Sequence, residues 1–200
     1  MKVQLIAKLA TVSVMALTLA GCIDVEMEVA LSSDATARAT TTQIVSAEFY
    51  EMVSMSDDEG AEDGEEAFCA EGTITETDDG GAICVEIKEG PFADLAEGDD
   101  DNGMVFTAEG PNLVRVTLPM NGIEQEVGAG EEMDEETRAM MTAMFEGRTI
   151  TLSISGEEIL ETNMDKSSDG KSATVVLDFM DIFDGKTGLE ADLFALVRTP

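Results

Sequence analysis

The sequence contains no histidine and no tryptophan, a single tyrosine, and only 11 lysines and arginines against 43 aspartates and glutamates. Without histidine there is neither an imidazole base nor an imidazole metal ligand. A formal net charge of −32 repels the phosphates of nucleic acids, so we exclude nucleic acid as a partner. A nucleophile elbow, a glycine-rich phosphate loop and a Cys-x-x-Cys pair are also missing. We therefore expect a protein that is not an enzyme and needs no cofactor.

The first 21 residues have the layout of an export signal. Lys2 and Lys8 give a basic start, and an uncharged, mostly apolar run follows at 9–20. This run of 12 residues is too short to span a bilayer, which needs about 20. It fits the apolar region of a secretory signal peptide. The sequence thus predicts a signal peptide at 1–21 and a mature chain at 22–200.

The end of the apolar run, Leu19-Ala20-Gly21-Cys22, resembles the lipobox of bacterial lipoproteins. The resemblance implies that signal peptidase II cleaves before Cys22 and that the thiol of Cys22 carries a diacylglyceryl group with fatty chains such as palmitate. Small Ala20 and Gly21 suit a narrow protease site. One chain alone anchors weakly, whereas two or three hold stably, so we expect the membrane to be a partner through this anchor. The alternative is an ordinary signal peptide followed by a chance cysteine.

The two residues after the lipobox bear on the membrane that the protein reaches. Ile23 follows Cys22 directly, and Asp24 comes next. In enteric-type Gram-negative bacteria, an aspartate directly after the lipidated cysteine retains lipoproteins in the inner membrane. Its absence at this position favours the outer membrane, facing the periplasm, or the outer face of the cell membrane in other bacteria.

The mature chain of 179 residues has 9 basic and 43 acidic side chains, a net charge of −34. A chain of this length forms one domain by default. Its acids cluster at 57–66, 97–101 and 131–136, which we interpret as solvated loops, with calcium binding or adaptation to salt as the alternative. Two loops approach the EF-hand pattern but place Gly98 and Val176 where carboxylates are needed, so we predict no metal site.

The three cysteines are an odd number for an exported protein. With Cys22 lipidated, Cys69 and Cys84 remain as a pair for an oxidising compartment. A turn at 78–81 predicts a tight hairpin, which would place Cys69 opposite a residue later than Cys84. We therefore predict a disulfide between the strand of Cys84 and the segment that enters the hairpin. The alternative is two separate buried thiols.

Hydropathy patterns predict the order of helices and strands. The predicted strands cover 23–31, 35–42, 72–77, 82–89, 104–109, 112–120, 148–155, 158–162, 173–179 and 188–198. The predicted helices cover 43–55 and 135–146, with Asp134 capping the second, and a short helical turn is predicted at 91–95. Strands joined by tight turns pair antiparallel, 158–162 with 173–179 among them. We predict an α+β fold with an antiparallel sheet and two main helices packed on one face.

Methionine and phenylalanine recur on one side of each predicted helix. They are Phe49 and Met52 in the first helix, and Met140, Met141, Met144 and Phe145 in the second. A methionine-rich face can be an adaptable binding surface, although more often it belongs to the core. Between helices and sheet, these side chains would line a cavity for lipid or another apolar ligand. The alternative function is a structural or interaction protein of the envelope without a small ligand, with protein partners that the sequence does not identify.

The chain also resembles the LppM-like bacterial lipoproteins, a group built around an α+β domain of mostly unknown function. The likeness rests on an alternating strand directly after the lipobox, on the helix with Phe49 and Met52, on 86–95, and on a closing hairpin within 159–177. The resemblance implies a lipoprotein domain over most of 22–180. It brings no catalytic motif to this chain.

Overall fold

The computed structural model describes residues 23–57, 68–69, 71–96, 103–126, 134–187 and 192–200. Its strands, in chain order, are β1 (Ile23–Leu31), β2 (Thr36–Val45), β3 (Thr73–Glu76), β4 (Ala82–Pro91), β5 (Val105–Gly110), β6 (Leu113–Leu118), β7 (Thr149–Ser155), β8 (Glu158–Thr162), β9 (Asp165–Lys166), β10 (Ser172–Asp178) and β11 (Leu193–Arg198). Its helices are α1 (Ala47–Asp57), α2 (Phe92–Leu95), α3 (Met120–Glu126), α4 (Glu135–Phe145) and α5 (Phe179–Phe183). None of these described helices is long and apolar enough to cross a membrane.

The strands form two sheets. The larger has the order β3-β4-β2-β1-β7-β10-β9, and the smaller has the order β5-β6-β11-β8. Neighbours pair antiparallel except β1 and β7, which run parallel with Val25 opposite Ile150. The α+β class is confirmed, but the prediction of one antiparallel sheet is wrong. Because the chain builds part of the smaller sheet between β1 and β7, it returns to the larger sheet by a long crossover instead of a tight turn.

The core lies between the two sheets. Alternate side chains of the larger sheet, such as Val29 and Ile154, form one buried cluster with Val116, Ile159 and Val197 of the smaller sheet. Burying each such side chain contributes about 1.5–3 kcal/mol. Among the described residues, α4 has no buried side chain. A second sheet therefore covers the core, and the predicted packing of two main helices on one sheet face is not confirmed.

The predicted hairpin between 158–162 and 173–179 is wrong. Strand β8 pairs with β11, with Ile159 opposite Val197, whereas β10 pairs with β7 and β9. The chain changes sheets just after Thr162, whose hydroxyl donates to the Phe194 carbonyl at 2.7 Å and accepts from the Met164 amide at 3.0 Å. The Asp-Gly turn after β9 thus closes a different hairpin, β9–β10.

One end of the larger sheet carries three helices, and we call it the helical end. Strands β1 and β7 begin there, at Ile23 and Thr149, and β2 ends there at Val45. Helix α1 starts two residues after β2, α4 ends shortly before β7, and α5 follows β10 directly. The opposite end, which we call the turn end, holds the β1–β2 turn and the C-terminus, where the Thr199 amide donates to the Asn112 carbonyl at 3.0 Å. The fold thus has two distinct ends, and the N-terminal strand begins at the helical one.

Candidate functional site

The predicted signal-peptidase and lipidation residues, Leu19, Ala20, Gly21 and Cys22, lie outside the described residues. Lipidation of Cys22 therefore stays a prediction. The residue that follows, Ile23, is the first of β1 and pairs with Val45. The residue directly after the predicted lipid anchor is thus already paired within the larger sheet.

Asp24 fastens this start of β1 to the neighbouring strand. One carboxylate oxygen accepts a hydrogen bond from Arg148 Nη1 at 2.7 Å. The other accepts from the Thr149 amide at 2.9 Å and from its hydroxyl at 3.4 Å. The Asp24 and Arg148 side chains are 27% and 21% exposed, so solvent screens this ion pair only in part. Sequence reasoning considered Asp24 only for sorting, because no local pattern signals a partner more than a hundred residues away.

Arg148 lies where three elements meet at the helical end. Its amide donates to the Phe145 carbonyl at 3.0 Å, and its carbonyl accepts from the Phe179 amide at 2.8 Å. Gly147 has φ +75°, a left-handed conformation that favours glycine and turns the chain from α4 towards β7. The backbone of Arg148 therefore ties the end of α4 to the start of α5, while its side chain holds β1.

Helix α4 starts where the sequence predicts, at the Asp134 cap. The Asp134 carboxylate accepts from the Thr137 amide at 2.8 Å. This bond, with the Thr137 side chain as a second contributor, lowers the pKa of Asp134. A charged acceptor at the first turn satisfies a free amide and complements the helix dipole. The predicted cap is confirmed.

Helices α4 and α5 lie side by side. The rings of Phe145 and Phe179 stack with centroids 4.1 Å apart. Arg138 forms an ion pair with Asp184, and Lys186 reaches the same carboxylate at 2.8 Å. The hydrogen bond from Lys186, followed by that from Arg138, lowers the pKa of Asp184. Two cations at the helical end are therefore already paired with one acid.

The six residues predicted to line an apolar cavity lie on α1 and α4, outside the core. Met52 and Met140 are 50% and 57% exposed. The other four, Phe49, Met141, Met144 and Phe145, are half-buried. Among the described residues, none of the six belongs to the buried cluster between the sheets or to the side chains packed against it. The six side chains are thus carried by two helices that join the larger sheet at its helical end, and the apolar cavity between helices and sheet stays a prediction.

The predicted disulfide joins Cys69 to Cys84, with their Cα atoms 5.7 Å apart. Cys84 is buried in β4 opposite Ile74, and Cys69 lies in the turn that precedes β3. The bridge therefore links the segment entering the β3–β4 hairpin to the second strand of that hairpin, as the sequence predicts.

The structure also gives a role to Gly72, which sequence reasoning missed. A Cβ atom at this position would lie 2.6 Å from Cys69 Sγ and 2.8 Å from both Cys84 Sγ and Glu86 Cγ. Only glycine lets the backbone pass this close to the bridge. Glu86 lies near both sulfurs, but the sulfurs are bonded to each other and offer no thiolate to a metal.

The described residues form a two-sheet α+β domain. Its strand β1 already includes Ile23, the residue directly after a predicted lipidation site. No family model matches the sequence, and no curated protein matches it. The chain is similar to the NMR structure of the folded domain of LppM from Mycobacterium tuberculosis, with a TM-score of 0.46 and 12% sequence identity. The match covers 90% of this chain and 91% of that chain. No activity, ligand or partner is carried over from that protein.

Proposed function

We propose that this protein is an exported bacterial lipoprotein, held in the cell envelope by acylated Cys22, with a binding or structural role and no catalytic one. One observation carries the proposal. The lipobox ends at Cys22, and β1 begins at the next residue, Ile23. The residue directly after the predicted lipidation site therefore already belongs to a paired strand, which supports a folded domain close to the anchor.

The start of β1 is held in the sheet by strand pairing and by hydrogen bonds to the Asp24 side chain. Ile23 pairs with Val45, and Asp24 accepts three hydrogen bonds from Arg148 and Thr149. No flexible glycine and serine tether separates Cys22 from this sheet. The acyl chains would hold the domain directly against the bilayer.

Charge adds a second argument, which concerns how the domain attaches. A mature chain with 9 basic and 43 acidic residues is repelled by anionic lipid within a Debye length, about 8 Å at physiological salt. Electrostatic repulsion would thus oppose adsorption of the domain to anionic lipid, and attachment depends on the acyl chains. With isoleucine at position 23, the proposed location in a Gram-negative cell is the outer membrane, facing the periplasm. In other bacteria it is the outer face of the cell membrane.

Intact-mass analysis of protein purified from membranes tests the anchor. We expect a mature chain that begins at Cys22 and carries the added mass of a diacylglyceryl group. A matched chain that begins at Ile23, exported behind an ordinary cleavable signal peptide, should be found in the soluble fraction. A mature N-terminus elsewhere, an unmodified Cys22, or an Ile23 chain that stays on membranes after a salt wash would contradict the proposal.

A second candidate function is binding of a lipid or another apolar ligand by α1 and α4. The exposure of Met52 and Met140 favours it, because methionine adapts to varied apolar partners. Solvent extraction of the purified protein and displacement of an apolar fluorescent dye test this candidate. Released lipid, together with weaker dye binding after Met140→Asp, would support it. A protein that carries no lipid and binds no dye would leave the structural or interaction role.

A further inference from the structure

We propose that the helical end is the surface that the domain presents to the bilayer, with Met52 and Met140 entering the headgroup region of zwitterionic lipid. This inference rests on the proposed acylation of Cys22, since the acyl chains decide which end of the domain meets the membrane. It adds a second contact between protein and lipid, made by the folded domain itself.

Both methionines lie on helices that join the sheet at the end where β1 starts. Ile23 pairs with Val45, and α1 starts two residues later at Ala47. Helix α4 ends at Phe145, close to the Asp24–Thr149 bonds. Met52 and Met140 each lie five residues from the end of their helix that joins the sheet, which is about 7.5 Å along a helix axis. An anchor at the residue before Ile23 therefore holds both helices within reach of the bilayer surface.

The exposed apolar area on these helices needs an explanation. Met52 is 50% and Met140 is 57% exposed, and within the described part of the chain α4 buries no side chain. Helices that lie in a membrane interface insert apolar side chains a short distance into the boundary between headgroups and acyl chains. Unbranched methionine suits such a mobile, irregular surface.

The charges at the helical end select the kind of lipid. Arg138 and Lys186 both pair with Asp184, and Arg148 pairs with Asp24. Each of these three cations is therefore already neutralised within the described structure. Helices α1 and α4, with the C-cap of α4, also carry the acids Glu48, Glu51, Glu135, Glu136 and Glu146. A surface with this balance fits zwitterionic phospholipid and is repelled by anionic lipid.

The same geometry predicts the orientation of the turn end. Strand β1 has nine residues, so its end at Leu31 lies about 26 Å from Ile23 at the usual rise of an extended strand. The turn end, with Asn112 and the C-terminus, would thus point away from the membrane.

Fluorescence quenching from within the bilayer tests this orientation. An environment-sensitive fluorophore is attached to single cysteines introduced as Met52→Cys and Met140→Cys in the acylated protein, with the Cys69–Cys84 bridge left closed. Ile87→Cys is the matched control, because Ile87 has the same 50% exposure as Met52. It lies five residues along β4 from Ala82, which is about 17 Å from the helical end of the sheet. The proteins are placed in vesicles of phosphatidylcholine that contain brominated lipid.

We expect the labels at positions 52 and 140 to be quenched about threefold more strongly than the label at position 87, since only the helical end lies at the boundary between the headgroups and the brominated chains. Replacing part of the phosphatidylcholine with phosphatidylglycerol at low salt should weaken that quenching, and added salt should restore it. Equal quenching at the three positions, or stronger quenching in the anionic vesicles, would overturn the inference.

The mass of the same samples separates this inference from the proposed function. An acylated, vesicle-bound protein with unquenched labels at 52 and 140 would refute the orientation and leave the anchor intact. A protein without the acyl mass would refute both. Wild-type thermal unfolding in the labelled variants is the check that the labels report on the native fold.

Discussion

Reduction of the Cys69–Cys84 disulfide is expected to lower the free energy of unfolding by about 3 kcal/mol. The two cysteines are 15 positions apart, so the bridge closes a short loop in the unfolded chain. In the chain-entropy model a loop of about 15 residues loses enough freedom to stabilise the folded state by about 3 kcal/mol at room temperature. For a domain of this size, that loss corresponds to a fall in Tm of about 6–12 °C.

The position of the bridge decides whether the whole effect is seen. Strand β3 is an edge strand with all four residues exposed, and it pairs with β4 alone. If this hairpin unfolds together with the core, reduction acts on global stability. Cys84 is fully buried in β4, which pairs along its whole length with β2, and this favours coupled unfolding.

Thermal unfolding of the soluble chain that begins at Ile23, followed by circular dichroism with and without reductant, measures this loss. The Cys69→Ala/Cys84→Ala double variant is the matched control, because its Tm should be low already and should not respond to reductant. A fall in Tm below about 2 °C on reduction would refute the reasoning, since the loop would then open locally without cost to the core.

Three further outcomes follow from the structure. Ile154→Ala, in the middle of the core, should cost about 2–5 kcal/mol by chemical unfolding, whereas Ile87→Ala on the exposed face should change stability by less than about 0.5 kcal/mol; equal costs would contradict a core between the sheets. Asp134→Ala should lower the Tm by a few degrees and Glu135→Ala should not, because only Asp134 bonds the free amide at the start of α4. The pKa values of Asp134 and Asp184 are lowered in the folded protein from the usual 3.8, so their contribution to stability is present above about pH 4 and is lost as the pH falls through the lowered values. The midpoint of chemical unfolding, measured at a series of pH values below 4, should therefore fall with the pH, and an unchanged midpoint would contradict this.

Local pattern predicted the individual elements well. Alternation located β1 and β7, the Asp-Gly turn located the β3–β4 hairpin, and Asp134 marked the start of α4. These features depend on side chains a few residues apart, which a single sequence displays directly. The cysteine pair was predictable for a different reason, because only two cysteines remain once Cys22 is assigned to lipid.

Partner choice between strands was not predictable in the same way. Alternation tells which face of a strand is buried but not which strand lies beside it. Strand β8 and strand β10 are separated by a clear turn signal, yet Thr162 directs β8 to the smaller sheet. The predicted helix at 43–55 starts too early for a related reason. Strand β2 continues to Val45 because β1 and β4 pair with it there, and α1 starts only at Ala47. The helical periodicity of α1 and α4 indicated helices correctly, but it could not show that a second sheet covers the core.

The place of β1 in the larger sheet bears on how a lipid anchor would hold this domain. Strand β1 lies between β2 and β7, so its hydrogen bonds run to both neighbours. A pull on the residue before Ile23 would have to break two strand pairings and the bonds to Asp24 before the strand could leave the sheet. An anchor attached to an edge strand such as β3 would peel away one pairing at a time. Attachment to a strand that is paired on both sides would therefore let the domain lie directly on the bilayer without a tether, because two strand pairings resist movements of the anchor.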